Sequence, residues 1–139
     1  MQISRKKLGQ IGEKIAEDFL KRKGYKILDK NYFVKSVFGP KTGEIDIVAK
    51  KDDTISFVEV KSLVVTPTAF GGRGDAGDVS PEDKVNFQKQ RKLIKTAQSW
   101  LIKNKMPSNI KWQIDVIAIK IDLDSKKAKI RHFKNAIGG

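Results

Sequence analysis

The chain has no cysteine and a single histidine, His132, among 139 residues. Without cysteine there is no disulfide, no thiol nucleophile and no cysteine-ligated zinc. One histidine cannot build a multi-histidine metal centre, and neither Ser62 nor Ser80 has a histidine base to activate it. Any catalysis must rest on carboxylates, lysine, hydroxyls or a hard cation such as Mg²⁺. Long apolar runs are missing too. No segment approaches the ~20 residues of a membrane span, and Met1–Lys7 lacks the apolar core of a signal peptide. A soluble, cytoplasmic protein with no membrane partner is expected. Acids are scarce: 16 Asp and Glu stand against 29 Lys and Arg, a formal charge of +13. Residues 1–81 carry 15 basic and 11 acidic groups, residues 82–139 carry 14 and 5, so the excess lies in the second part. A folded domain this basic favours a polyanion through counterion release, which makes nucleic acid the expected partner.

What is present suits one globular domain over residues 1–139: 39% hydrophobic and 32% charged residues, enough chain for a real core, and no internal repeat or linker. From Arg5 to Lys23 the positions Leu8, Ile11, Ile15, Ala16, Phe19 and Leu20 recur at helical spacing, and Gly24 ends the helix. Gly9, Gly12 and Ala16 form a strip of small residues that would let this helix lie close to a sheet, with Glu13 at the strip's edge. Strand material follows over Tyr25–Phe38, closed by a turn cluster at Gly39–Gly43. Glu44–Ala49 and Ile55–Lys61 are the next strands. Val65–Ser80 reads as a long glycine-rich loop. Ser80-Pro81-Glu82-Asp83 starts a second helix running to about Asn104. Ile110–Ile121 and Ala128–Phe133 close the order as α-β-β-β-α-β-β, a mixed α/β sheet flanked by helices.

The chemistry concentrates in Gly43-Glu44-Ile45-Asp46-Ile47-Val48 and Phe57-Val58-Glu59-Val60-Lys61. Strands normally spend inward positions on hydrophobes, so ionisable groups there need a reason. With a two-residue turn at Asp52-Asp53, Asp46 falls opposite Glu59 and Glu44 opposite Lys61, and Asp46, Glu59 and Lys61 share a face. Opposed residues have Cβ atoms about 5 Å apart, close enough for two carboxylates to repel unless a cation lies between them. Mg²⁺ with waters suits that place. Glu13 and Gln90, each on an inward helix face, point toward it. The competing explanation is a solvated sheet face carrying a Glu44–Lys61 salt bridge.

This Asp…Glu-x-Lys arrangement after an acid-bearing helix resembles the PD-(D/E)xK nuclease superfamily, which includes Holliday junction resolvases. More closely, the chain resembles the YraN-type endonuclease family. The resemblance is carried by Gly12-Glu13…Ala16-Glu17…Leu20…Gly24-Tyr25…Asn31-Tyr32, by the two strand motifs, and by Lys89-Gln90…Leu93…Ala97…Trp100-Leu101, Asp115-Val116-Ile117 and Asn135-Ala136. It implies a restriction-endonuclease-like fold and a Mg- or Mn-dependent endonuclease acting on DNA, with branched or structured DNA as a candidate substrate. Asp46 and Glu59 would ligate the metal together with the Val60 carbonyl. Glu13 would hold it through water or bind a second ion. Lys61 would position or activate the attacking water and offset charge in the transition state, and Gln90 would orient the site or touch the phosphate. Two departures stand out: Thr66–Ser80 is longer and richer in glycine than is usual there, and Ser62-Leu63 follows Lys61 where a basic residue is common. Related resolvases work as dimers, so a homodimer is admitted, although no dimer seam stands out.

Flanked by two carboxylates, Lys61 is expected to stay protonated and act electrostatically rather than as a general base. Lys89, Arg91, Lys92 and Lys95 are expected to fan outward; with Arg73 they are the candidate nucleic-acid contacts. Together with the basic row Lys126–Arg131 they would make a phosphate track. Asp115, in an apolar strand, reads as a buried partner for a backbone amide or a lysine in preference to a catalytic auxiliary. His132 reads as facing solvent or nucleic acid. Trp100 reads as core, and Trp112 and Phe133 as core or partner surface. The alternative function is a basic nucleic-acid-binding protein that keeps a nuclease-like fold without turnover.

Overall fold

The computed structural model describes residues 3–35, 41–65 and 87–137. Helix α1 spans Arg5–Arg22, capped by Ser4, whose Oγ accepts from the Lys7 backbone N–H at 3.1 Å. The chain leaves it through Gly24 at φ 93, where glycine carries no steric cost. Three antiparallel strands follow: β1 (Lys26–Lys35), β2 (Lys41–Lys51) and β3 (Thr54–Val64). Helix α2 (Phe87–Lys103) then crosses over to β4 (Lys111–Asp122), which pairs parallel with β3, and β5 (Lys127–Phe133) closes the edge. The sheet order is β1-β2-β3-β4-β5. This is a mixed α/β sheet between two helices in the expected order, with a restriction-endonuclease-like architecture.

Each face of the sheet buries its own core. Under α1 lie Ala16, Leu20, Ile47, Val58, Ile117 and Ile119; under α2 lie Ile45, Phe57, Leu93, Ala97, Trp100 and Ile114. Leu93, Ala97 and Trp100 recur at the three-to-four spacing that puts them on one side of α2. Trp100 is core as expected, and its Nε1 donates to Asp29 Oδ2 at 3.0 Å. The small-residue strip works at one of its glycines. A Cβ on Gly12 would collide with Ser62 Oγ on β3, whereas one on Gly9 would meet nothing within 4 Å. Close packing of α1 therefore depends on Gly12 and Ala16 rather than on all three.

Most element boundaries agree with the sequence reading. The two-residue turn falls at Asp52-Asp53, with Asp52 at φ 54, and the β2–β3 ladder runs in the expected register from Lys51↔Thr54 to Ile47↔Val58. One boundary differs. Lys41 and Gly43, read as part of a turn cluster, belong to β2 and pair with Lys35 and Val34. Gly43 is accepted in the strand because α2 passes close above it: a Cβ there would collide with Thr96 Oγ1. The glycine-rich loop, the start of the second helix at Ser80 and Arg73 lie outside the described residues.

Candidate active site at the divergence of the second and third strands

Ile45 belongs to the core under α2, whereas Ile47 and Ala49 belong to the core under α1. Residues two apart in a regular strand face the same way, so the alternation inverts between them, at Asp46. The β2–β3 ladder ends at the same point, with Ile47↔Val58 its last pair. Asp46 is therefore not a ladder partner of Glu59 as the uninterrupted register predicted. Its Oδ2 instead accepts the Val60 N–H at 2.7 Å, so the carboxylate takes over a backbone bond where the strands part. The inversion sets Asp46 within electrostatic reach of both Glu59 on β3 and Glu13 on α1.

Charge and burial conflict here. Burial pushes the Asp46 carboxyl up to about 8, reinforced by Glu59 and opposed by the Val60 N–H. Burial also raises Glu59, whose side chain is 14% exposed, while Lys89 and Lys61 pull it back. The Lys89 Nζ lies 3.7 Å from Glu59 Oε1. Glu13 is raised by burial, with a side-chain hydrogen bond from Asn31 working the other way. Lys61 is pulled both ways. Glu59 and Asp46 do favour its charged form, yet burial and the neighbouring Lys89 outweigh them, and its pKa lies below the ordinary lysine value.

Glu13, Asp46, Glu59 and Lys61 thus come together, all half-buried. Glu44 is exposed, and among the described residues it forms no ion pair with Lys61. Gln90 is half-buried on α2, beside Lys89. Lys89 was expected to point outward, but it lies on the buried stripe of Leu93, Thr96 and Trp100 and reaches Glu59. Arg91, Lys92 and Lys95 are exposed as expected, with Arg91 over the Phe87 ring at 5.7 Å. Sequence reasoning gave Asn31 no role. Its φ of 54 is a left-handed conformation that asparagine tolerates, and it lies between Lys30↔Ile47 and Tyr32↔Ile45, the position across from Asp46.

His132 also differs from expectation. Its side chain is 8% exposed, packs against the Phe19 and Tyr25 rings, and bonds Asp115 Oδ2 through Nε2 at 2.8 Å. Asp115 is fully buried and also accepts from Asn135 N and Gln113 Nε2, both at 2.9 Å. Strand alternation explains the pair: Ile117↔His132 places the imidazole on the face under α1.

Among the described residues, no group of three or more His, Cys, Asp and Glu side chains is close enough to hold a metal ion. The donor set still suits a hard cation completed by water. Asp46 and Glu59 are oxygen donors whose ionised forms are disfavoured by burial, a cost that a nearby cation offsets. Among the described residues, no helix is long and apolar enough to cross a membrane.

A mixed sheet between two helices, with an Asp, Glu-x-Lys cluster where its strands part, defines a nuclease-like α/β protein. The chain belongs to the uncharacterised protein family UPF0102, whose model matches residues 12–119. It is similar to a UPF0102 protein of Alkaliphilus oremlandii, 40% identical over 131 residues covering 94% of this chain and 97% of the relative. A UPF0102 protein of Clostridium tetani is 39% identical and the UPF0102 protein CLJ_B2665 of Clostridium botulinum 37% identical, each over 136 residues and 98% of both chains.

Proposed function

We propose that this chain is a metal-dependent endonuclease that hydrolyses phosphodiester bonds in DNA, with branched or structured DNA as its substrate class. One observation carries the reading. Two carboxylates, Asp46 and Glu59, are held half-buried at the break in the β2–β3 ladder, with Lys61 and Lys89 beside them. Desolvating like charges costs stability, and a fold keeps such an arrangement where it serves a site.

Asp46 and Glu59 would hold the metal, Mg²⁺ or Mn²⁺, with the Val60 carbonyl as a further donor, and Glu13 would act through water. A divalent cation bound there lowers the pKa of its water and neutralises charge on the phosphate. The Val60 N–H fixes the Asp46 carboxylate, so its orientation needs no reorganisation during the reaction. Lys61 and Lys89 supply positive charge where the phosphorane accumulates negative charge. Asn31 holds Glu13 toward the site, and Gln90 orients the phosphate.

The test is a cleavage screen with Mg²⁺ and Mn²⁺ over duplex, single-stranded, flapped and four-way-junction DNA, with RNA counterparts. Asp46→Ala and Lys61→Ala should each cut the rate by at least about 100-fold while leaving binding in EDTA largely intact. Robust cleavage by both variants would remove the assignment. Steeply salt-dependent binding without turnover on any substrate would favour a non-catalytic nucleic-acid-binding protein.

A further inference from the structure

Strand register carries the charge of the site across the sheet. In the paired rows β3–β4–β5, Glu59 aligns with Val116 and Phe133, Lys61 with Ala118 and Arg131, and Leu63 with Lys120 and Lys129. Residues in register point to one side of a sheet. That side is fixed independently at both ends. Phe57 and Ile114 bury under α2, and Glu59 meets Lys89 of α2. On the opposite side Ile117, Ile119 and Ile130 bury under α1, and Ser62 meets Gly12. Lys61, Lys120, Lys129 and Arg131 therefore share one face, and Lys127 continues it opposite Asp122.

Helix α2 makes its main contacts with β2 and β1, away from the β4–β5 end of this face. Lys127, Lys129 and Arg131 are exposed there, and Lys120 is half-buried. The Arg131 guanidinium lies over the Phe133 ring, 4.9 Å from its centroid, which restricts a long side chain. Neighbouring strands are about 4.8 Å apart, so Arg131 stands roughly 10 Å from Lys61, two strands over in the same row. The cations of α2, by contrast, turn away from the sheet at Arg91, Lys92 and Lys95.

We infer that the sheet face of β4 and β5, rather than the outer face of α2, carries the phosphodiester strand to and from the site, with Lys129 and Arg131 as its principal phosphate contacts. This deepens the nuclease reading and rests on it for the strand's destination. A polyanion laid over this face meets Lys129, Arg131 and Lys61 in turn.

The experiment is anisotropy titration of a labelled flapped DNA duplex in EDTA over a series of salt concentrations, beside cleavage in Mg²⁺. At about 100 mM salt, Lys129→Gln/Arg131→Gln should bind at least about 10-fold more weakly, with the log–log salt slope flatter by about two, one per cation removed. Lys6→Gln/Lys14→Gln, an equal charge change on the exposed side of α1, is the control. Thermal melting checks folding, and the single variants Lys129→Gln and Arg131→Gln, each with about half the slope change, replace the double if it melts early. Equal losses in the two pairs, or none in the sheet pair, overturn the inference. If the sheet pair loses binding as expected but the native protein cuts nothing with any metal, the nuclease reading falls and the surface stands. If the native protein cuts, and the sheet pair binds and cuts equally well, the surface falls alone.

Discussion

Asp46 is the residue on which site and stability meet. Its carboxyl lies at about 8 in the folded chain and near 3.9 when unfolded. Between those values the folded chain binds the extra proton, so stability falls as pH rises through the window and levels off above about 8. Glu59 is displaced in the same direction and adds to the slope. In EDTA, the melting temperature should decline from pH 5 to 9, and Asp46→Asn should flatten that decline, because asparagine can still accept the Val60 N–H but never charges. At pH 8 the variant should melt roughly 3–6 °C above the native chain; an unchanged pH profile would mean that Asp46 is not desolvated as described. Asp115 is the opposite kind of buried acid, with three partners. Asp115→Ala strands Asn135 N–H, Gln113 and His132 at once, and should cost about 3 kcal/mol in denaturant unfolding, far more than a surface change.

At the scale of elements, the approach of α1 to β3 sets where Glu13 stands. Gly12→Val should lower stability by about 1–3 kcal/mol through overpacking against Ser62, and should slow cleavage more than Glu13→Gln alone, since the helix and its glutamate move together. Gly9→Ala, with open space around it, should be neutral or stabilise by up to about 1 kcal/mol through helix propensity. Urea unfolding of the two variants separates these outcomes. The elements themselves were legible in the sequence, because α1 and α2 have clear helical spacing and β2, β3 and β4 alternate. The register of β2 with β3 was legible as well, since the Asp52-Asp53 turn fixes it. What sequence could not supply was the inversion at Asp46, because Ile45 and Ile47 are both isoleucine and only packing decides which face each one takes. Lys89 could have been found: it lies four residues before Leu93 on the buried stripe. His132 was misplaced because a polar residue on a short, lysine-rich edge strand gives no sign of a buried aspartate on the neighbouring strand.

At the scale of the molecule, the acids of the site come from α1, β2 and β3, while much of the surrounding positive charge comes from α2, β4 and β5. Residues 82–139 accordingly hold most of the net charge. Mg²⁺ should raise the melting temperature by mass action, and by more at pH 9 than at pH 6, because the cation competes with the Asp46 proton. Asp46→Asn should lose most of that increment. A shift independent of both pH and Asp46 would point to diffuse ion binding instead.

The parallel pairing of β3 with β4 has a consequence in time. The β1–β2 and β2–β3 pairings are hairpins between neighbouring strands, whereas α1 reaches β3 from Gly12 to Ser62 and β4 can dock on β3 only after residues 65–110 have been gathered into a closed loop. Non-local pairings of this kind form slowly. The carboxylates of Asp46 and Glu59, on one hairpin, are therefore brought together before Lys120, Lys129 and Arg131 arrive, and during synthesis the acidic part leaves the ribosome first. The nascent chain passes through a stage that holds its acids without the basic strands, so on the proposed reading a grip on nucleic acid would appear only as folding finishes.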